Sequence, residues 1–181
     1  KVYTPVSLAS GFNWYLKYYC HASTSWCGNQ LQVPKELPRP NTKIKKETSL
    51  PIGFYLNYCT FSYSMAFWEW EEWEKEIDRM AMNGITTPMA MVGVECVWRN
   101  TLSRLNYSED EIKNFIPGPA YMGWFLMGNL ERMGGPLPDS WFTRQEKLQK
   151  RILARMKEYG MSPVFQAFFG MVQTNLQNKY P

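Results

Sequence analysis

The chain has 181 residues, a formal net charge of +4 and a hydrophobic content of 45%. This length suffices for one domain with a substantial core, or for one small domain and part of a larger one. The basic residues are scattered, apart from a short cluster at residues 43–46, and no apolar run reaches the roughly 20 residues of a membrane span. We therefore expect neither a nucleic acid nor a membrane as a partner.

Cysteine and histidine are too sparse for a metal site. The four cysteines, at positions 20, 27, 59 and 96, form no C-x-x-C pair, and His21 is the only histidine. The sequence also has neither a G-x-G-x-x-G motif nor a Walker loop, so nothing supports dinucleotide or nucleoside triphosphate binding. We expect no metal and no cofactor. A disulfide between Cys20 and Cys27 is compatible with the spacing, but nothing requires it.

Aromatic residues are abundant, with 8 Trp, 11 Tyr and 10 Phe making up 16% of the chain. Such residues either fill a core or line a pocket for a ligand with apolar faces, such as a sugar ring. Composition alone leaves both interpretations open.

The first 33 residues predict a helix followed by a hairpin. Pro5 and Ser7 stand where a helix would begin. Residues 30–33 alternate between polar and apolar and predict a strand, with residues 27–29 as the preceding turn. Residues 34–51 contain four prolines and a charged stretch, which predicts a linker and a domain boundary. The apolar face of the helix is predicted to comprise Leu8, Phe12, Tyr15, Leu16 and Tyr19.

After the linker, the pattern alternates between strands and helices. Ser108 and Glu111 have the spacing of a capping box, which predicts the start of a helix. Acidic residues near residue 70 predict the start of the first helix after the linker, because they interact favourably with the helix dipole. The acids of residues 69–76 are predicted to lie on a solvated face. Predicted strands occupy residues 52–56, 85–92 and 161–168, and predicted helices occupy residues 68–82, 95–105, 109–115, 122–126 and 139–159.

This alternation indicates an α/β fold in which parallel strands are joined by helical crossovers. Three strands cannot close a barrel. They fit either the opening three βα units of an eightfold barrel or one half of a doubly wound sheet. In both folds, ligands bind beyond the carboxyl ends of the strands.

The residues that follow the predicted strands supply candidate binding groups. Asn57, Cys59 and Tyr63 follow the first strand, Glu95 follows the second, and Trp124 lies in the insertion after it. An amide, a phenol and an indole suit a neutral polar ring better than a phosphate. Each also has a structural interpretation: Asn57 as a turn cap, Cys59 as a small buried residue, Tyr63 and Trp124 as core aromatics, and Glu95 as a first-turn helix acid.

Several motifs resemble the α-N-acetylglucosaminidases of glycoside hydrolase family 89. They begin with Asn57-Tyr58-Cys59-Thr60-Phe61-Ser62-Tyr63-Ser64 and continue through Trp68-Glu69-Trp70 and Trp73 to Asp78. Further segments at residues 80–85, 118–130, 135–141 and 159–164 are similar in the same order. The resemblance covers nearly the whole chain and is strongest from Asn57 onward.

The resemblance implies that residues 1–45 are the C-terminal part of a small N-terminal α/β domain with its linker. Residues 46–181 would be the first three βα units of a (β/α)8 TIM barrel, incomplete in this chain. It also implies hydrolysis of terminal, non-reducing α-linked N-acetylglucosamine by a retaining mechanism with two glutamates. Asn57, Cys59, Tyr63 and Trp124 would line the sugar pocket by motif match, and Glu95, Met127 and Asn129 lie in matching segments.

The family's two catalytic glutamates belong to later barrel strands, so the resemblance implies that this chain alone lacks the nucleophile and the proton donor. The partners would be a glycan ending in α-linked N-acetylglucosamine and the remainder of the same polypeptide. Family members are secreted, periplasmic or lysosomal. Two alternatives stay open from the residues themselves: a non-catalytic carbohydrate-binding module, and a structural domain whose aromatic residues are all core.

Overall fold

The computed structural model of the chain describes residues 4–167 and 170–181. Helix α1 (Pro5–Tyr18) leads into an antiparallel hairpin of β1 (Ser23–Ser25) and β2 (Gly28–Gln30). Residues 31–53 then form a linker without regular structure. The helix, the hairpin and the linker are confirmed, but the predicted strand at residues 30–33 is wrong. The chain reverses earlier, since Gly28 adopts φ 144°, which glycine tolerates.

The buried face of α1 agrees only in part with the predicted one: Leu16 is buried, and Tyr15 and Tyr19 are half-buried. Leu8 and Phe12 are exposed, whereas Val6, Asn13 and Leu16 are buried. The hydroxyl of Ser10 donates to the carbonyl of Ala81 over 3.0 Å, and the amide of Asn13 donates to the carbonyl of Met82 over 2.9 Å. The carbonyls at the end of a helix lack intrahelical donors. The polar side of α1 therefore packs on the end of helix α3 (Trp70–Met82), a contact that apolar spacing alone does not identify.

The remaining elements follow the linker in the predicted alternation. A short strand precedes two compact helical turns, and a strand and several shorter helices separate the two long helices along the chain. In order they are β3 (Phe54–Tyr55), α2 (Tyr58–Thr60), a π-helical turn (Phe61–Met65), α3 (Trp70–Met82), β4 (Thr87–Pro88), α4 (Val94–Arg104), α5 (Glu109–Phe115), a 3-10 turn (Pro119–Tyr121), α6 (Met122–Leu126), α7 (Asp139–Glu158) and α8 (Leu176–Lys179).

Three extended segments pair in parallel and in chain order. β3 pairs with β4, with Phe54 opposite Thr87, and Met89 forms a parallel bridge with Val164. The Val164 amide donates to the carbonyl of Pro88 over 2.8 Å. The three predicted strands are therefore present at the predicted places but are shorter, and Phe168, the last residue of the third, lies outside the described residues. This order is compatible with both folds that the sequence left open.

Helices α3 and α7 pack against each other and form the centre of the core. Ile77 and Met80 of α3, and Ile152 and Met156 of α7, are almost completely buried. Each large apolar side chain removed from water in this way contributes about 1.5–3 kcal/mol. Both helices share this hydrophobic core with Leu56 and Met89, which directly follow the first two strand segments.

One acid of α3 contradicts the predicted solvated face. Glu76 is 1% exposed and forms an ion pair with Arg79 one turn later. The guanidinium of Arg79 lies 4.5 Å from the ring centre of Trp26 in the hairpin turn. Glu76 is therefore enclosed within the fold, and Arg79 supplies the cation that a buried carboxylate needs.

Candidate functional site

The end of β3 turns sharply into α2, and this turn fixes Asn57. Leu56 is buried with φ 106°, a conformation that residues other than glycine rarely adopt. Asn57 returns to an extended conformation, and its side-chain oxygen accepts from the amide and the hydroxyl of Thr60, both over 2.9 Å. Strained backbone of this kind is concentrated at functional sites. Asn57 is thus the cap of α2, and it also remains exposed.

Helix α6 packs directly on α2 and on the π-helical turn. The amide of Gly123 donates to the hydroxyl of Ser62 over 2.8 Å, and both residues are buried. A Cβ atom at Gly123 would stand 2.4 Å from the carbonyl oxygen of Tyr58, so only glycine permits this approach. This contact places α6, which belongs to the insertion after the second strand, against the segment that follows the first strand.

Tyr63 and Trp124 meet across that contact. Their ring centres are 5.3 Å apart and their planes are inclined by 87°, so one ring edge faces the other ring. Tyr63 is 76% exposed and Trp124 is partly exposed. Edge-to-face pairs are a favourable aromatic geometry and hold each other in place. The pair presents an accessible apolar surface with a phenol and an indole N–H as hydrogen-bonding groups.

The loop after α6 folds back on Trp124. The amides of Met127 and Asn129 donate to the carbonyl of Trp124 over 3.2 and 3.0 Å, and Gly128 at φ 76° allows the reversal. Met127 is partly buried and Asn129 is exposed. Cys59 lies in α2 as a free, partly buried thiol. Six predicted site residues therefore lie on two packed segments: Asn57, Cys59, Tyr63, Trp124, Met127 and Asn129.

Glu95 has a different environment from those six residues. It is 3% exposed, and its carboxylate accepts a hydrogen bond of 2.8 Å from the indole of Trp141. Burial raises the pKa of Glu95, while hydrogen bonds from its own backbone and from Trp141 lower it. The ring of Trp141 stands edge-on to Phe67, which lies two residues after the π-helical turn. Glu95 is therefore enclosed behind the surface and holds Trp141 in place.

Sequence reasoning missed three residues that build this arrangement. Ser62 and Gly123 join the two segments, and Trp141 holds Glu95. Gly123 stands next to Trp124 in the sequence, but a glycine there gives no local sign of what it contacts. The partners of all three lie 46 or 61 residues away along the chain.

Two concave regions in the described chain lie apart from these residues. One, of about 510 Å³, lies between α5 and the C-terminal segment and includes Glu111, whose pKa is lowered to about 2, chiefly by a backbone hydrogen bond from Ser108 and then by Lys179. The other, of about 390 Å³, lies between the hairpin and α3. Among the described residues, no three His, Cys, Asp or Glu side chains cluster as metal ligands would. No described helix combines the length and apolarity needed to cross a bilayer.

Two family models match the chain. Residues 53–181 match the model described as the Alpha-N-acetylglucosaminidase (NAGLU) tim-barrel domain, and residues 2–39 match the N-terminal domain of the same family. The chain is 40% identical over 178 residues to a human protein named Alpha-N-acetylglucosaminidase. That alignment covers 98% of the chain but 24% of the human protein.

Solved structures of a family 89 glycoside hydrolase from Clostridium perfringens are also similar. The complex with a 2-acetamido-1,2-dideoxynojirimycin ligand gives a TM-score of 0.93 at 42% identity, covering 96% of this chain and 20% of that one. The complex with PUGNAc gives 0.94 at 41% identity, covering 97% and 20%. This chain thus spans about a fifth to a quarter of the length of its relatives, and it belongs to the α-N-acetylglucosaminidase family, glycoside hydrolase family 89.

Proposed function

We propose that this chain supplies part of the sugar pocket of an exo-acting, retaining α-N-acetylglucosaminidase. The substrate would be a glycan ending in α-linked N-acetylglucosamine. The observation that carries the proposal is the edge-to-face pair of Tyr63 and Trp124, which stands beside the end of β3. The human relative is named for this activity, and a third Clostridium perfringens structure is a complex of the relative with its substrate GlcNAc-alpha-1,4-galactose.

The chemistry of the six clustered residues suits a neutral sugar. The apolar face of a pyranose ring packs on an aromatic ring, and its hydroxyls need partners that donate and accept. The exposed amides of Asn57 and Asn129 can do both, and Tyr63 adds a hydroxyl. We assign these residues, with Cys59 and Met127 beside them, to the pocket wall. We assign Glu95 a place behind the wall, as the acceptor that orients Trp141.

The proposal places the catalytic acids in other parts of the polypeptide. Retaining glycosidases use two carboxyl groups about 5 Å apart. None of the six clustered residues is acidic, and Glu95 is bonded to Trp141 within the interior. The relative in the GlcNAc-alpha-1,4-galactose complex carries glutamine in place of two of its glutamates. The pocket therefore becomes catalytic only when the remainder of the enzyme contributes its carboxylates.

We also propose the domain division at the linker. Residues 1–45 would be the C-terminal part of the small N-terminal domain with its linker, and residues 46–181 would be the first three βα units of a TIM barrel. The two family models, which end at residue 39 and begin at residue 53, support a boundary in this region. The partners would be the glycan and the rest of the polypeptide, in a secreted, periplasmic or lysosomal compartment.

The test is hydrolysis of a chromogenic α-N-acetylglucosaminide by the full-length protein. Asn57→Ala, Tyr63→Ala and Trp124→Ala should each lower kcat/KM by roughly tenfold to a hundredfold, because they remove a stacking surface or a hydroxyl partner. Tyr18→Ala is the matched control, since Tyr18 is similarly exposed on α1. Hydrolysis that is equal in all four variants would refute the site. Sugar binding without any hydrolysis would instead identify a non-catalytic carbohydrate-binding protein.

A further inference from the structure

A groove separate from the strand-end site runs between the N-terminal hairpin and helix α3. Its volume is about 390 Å³. Its α3 side is formed by residues one turn apart, which include Glu72, Lys75 and Arg79, and its hairpin side is formed by β1, β2 and the turn between them. Trp26 and Trp68 stand at the same groove, with ring centres 6.0 Å apart and planes inclined by 50°. None of the residues assigned to the strand-end pocket lines it.

The two tryptophans form a supported aromatic surface. Trp26 is 51% exposed although the guanidinium of Arg79 lies 4.5 Å from its ring centre. Arg79 is itself held by its ion pair with buried Glu76. Trp68 rests edge-on against Trp73, whose ring is 2% exposed, at 5.4 Å between centres. Both indoles are therefore positioned before any ligand arrives, which lowers the ordering cost of binding.

The polar groups around the tryptophans fall into two sets. Asp78 is already engaged, because it accepts from Arg155 and from the hydroxyl of Tyr159. By contrast, Lys75 and the side chain of Asn29 make no hydrogen bond or ion pair within the described part of the chain, and both are exposed. An ammonium and an amide that are free to donate, beside an open indole, match the hydroxyls and apolar face of a pyranose.

The charges of the groove favour a neutral ligand over an anionic one. Its lining contains two cations, Lys75 and Arg79, and two acids, Glu72 and Asp78. These formal charges cancel, so the groove lacks the positive field that attracts a sulfated or phosphorylated chain. Two tryptophans beside balanced charges therefore suit the apolar face of a neutral sugar better than a charged ligand.

We propose that this groove is a second saccharide-binding site, which stacks a neutral, N-acetylated or unmodified pyranose on Trp26 and Trp68 and hydrogen-bonds it through Lys75 and Asn29. The site binds a glycan chain at the protein surface, apart from the proposed pocket at the strand ends. Binding there does not depend on the hydrolytic activity proposed above. The groove joins the part of the chain that matches the N-terminal domain to the part that matches the barrel. A glycan bound there would contact both.

The experiment measures binding of triacetylchitotriose, a neutral saccharide, to the full-length protein by saturation-transfer NMR and titration calorimetry. We expect saturation transfer to the sugar ring and acetyl protons, and a loss of affinity of about tenfold or more in Trp26→Ala. Lys75→Ala and Asn29→Ala remove exposed groups that make no hydrogen bond or ion pair among the described residues, and each should weaken binding severalfold. Tyr18→Ala, again an exposed aromatic on the N-terminal segment, should bind as the parent does.

A second measurement separates this site from the strand-end pocket. Trp26→Ala should leave kcat/KM for a chromogenic monosaccharide glycoside unchanged, whereas Trp124→Ala should lower it and leave triacetylchitotriose binding at the groove intact. Absence of hydrolysis in the parent would remove the proposed function but not this site. The site is refuted if the parent does not bind the neutral trisaccharide, if all three groove variants bind it with parental affinity, or if a sulfated oligosaccharide binds there and the neutral one does not.

Discussion

Trp141 donates its indole N–H to the carboxylate of Glu95 over 2.8 Å, with both side chains buried. Glu95 lies in the first turn of α4 and Trp141 lies in the first turn of α7, so the bond joins the beginnings of two helices. Beside it, the thiol of Cys96 donates to the carbonyl of Phe142 over 3.2 Å. Burial raises the pKa of Cys96 to about 12, so this thiol stays protonated and remains a donor. The two bonds together fix α4 against α7 behind the proposed pocket.

Glu95→Gln should reduce the pH dependence of stability. The folded protein holds the Glu95 proton more tightly than the unfolded chain does, because burial raises the folded-state pKa above 4.5. The stability contributed by the protonated form is therefore complete below the pKa that Glu95 has in the unfolded chain. It is lost as pH rises through the pKa that Glu95 has in the folded protein. Glutamine keeps an acceptor for Trp141 but cannot ionise. We expect the melting temperature of the variant, relative to the parent, to rise as pH increases from about 4 to about 8.

Differential scanning fluorimetry across that range is the measurement. Glu36→Gln is the matched control, since Glu36 is exposed in the linker, and its profile should follow that of the parent. Parallel profiles for the Glu95 variant and the parent would show that Glu95 does not titrate differently on folding.

Local patterns predicted the elements whose signals lie within one turn of chain. The capping box of Ser108 and Glu111 opens α5 as predicted, and the short helix at residues 122–126 has the predicted bounds. The strand ends were also located, because alternation of strand and helix depends on short-range periodicity. These features placed Asn57 and Tyr63 after the first strand without any knowledge of what they contact.

The features that shape the site depend on contacts distant in sequence. Leu56 takes φ 106° at a position where no glycine marks a sharp turn. Glu95 looks like an ordinary first-turn acid until Trp141, 46 residues later, encloses it. On α1, apolar spacing correctly selected Leu16 but also selected Leu8 and Phe12, which are exposed. It could not select Asn13, whose amide donates to a carbonyl at the end of α3. Periodicity reports which residues share a face and cannot report which partner that face meets.

Gly123→Ala should abolish the pocket geometry. The added methyl would stand 2.4 Å from the carbonyl oxygen of Tyr58 and 2.7 Å from the hydroxyl of Ser62, so α6 must move away. The edge-to-face contact of Trp124 would be lost with that shift, and we expect kcat/KM of the full-length enzyme to fall by roughly tenfold or more. Gly11→Ala is the matched control, because nothing stands within 4 Å of a Cβ there.

Gly11 lies inside α1, where alanine is favoured over glycine by about 0.5–1 kcal/mol, so that variant should melt slightly higher with unchanged kinetics. Steady-state kinetics and melting curves of both variants are the measurements. Parental activity in Gly123→Ala would mean that the contact between α6 and α2 does not position the pocket.

Arg155→Lys should loosen the packing of α7 on α3. The guanidinium donates to Asp78 from two nitrogens, over 2.8 and 3.1 Å, and to Glu158 over 2.9 Å, while the hydroxyl of Tyr159 donates to the same Asp78 oxygen over 2.9 Å. Lysine keeps the charge but cannot form the planar fork. The pair is partly exposed, so solvent screening limits the loss in free energy of unfolding to roughly 1–2 kcal/mol, or about 2–8 °C in melting temperature.

Lys157→Arg is the control, because Lys157 lies on the exposed side of the same helix, and it should change the melting temperature by less than about 1 °C. Equal midpoints for both variants, measured by circular dichroism at 222 nm, would show that charge alone, and not the forked geometry, holds the two helices together.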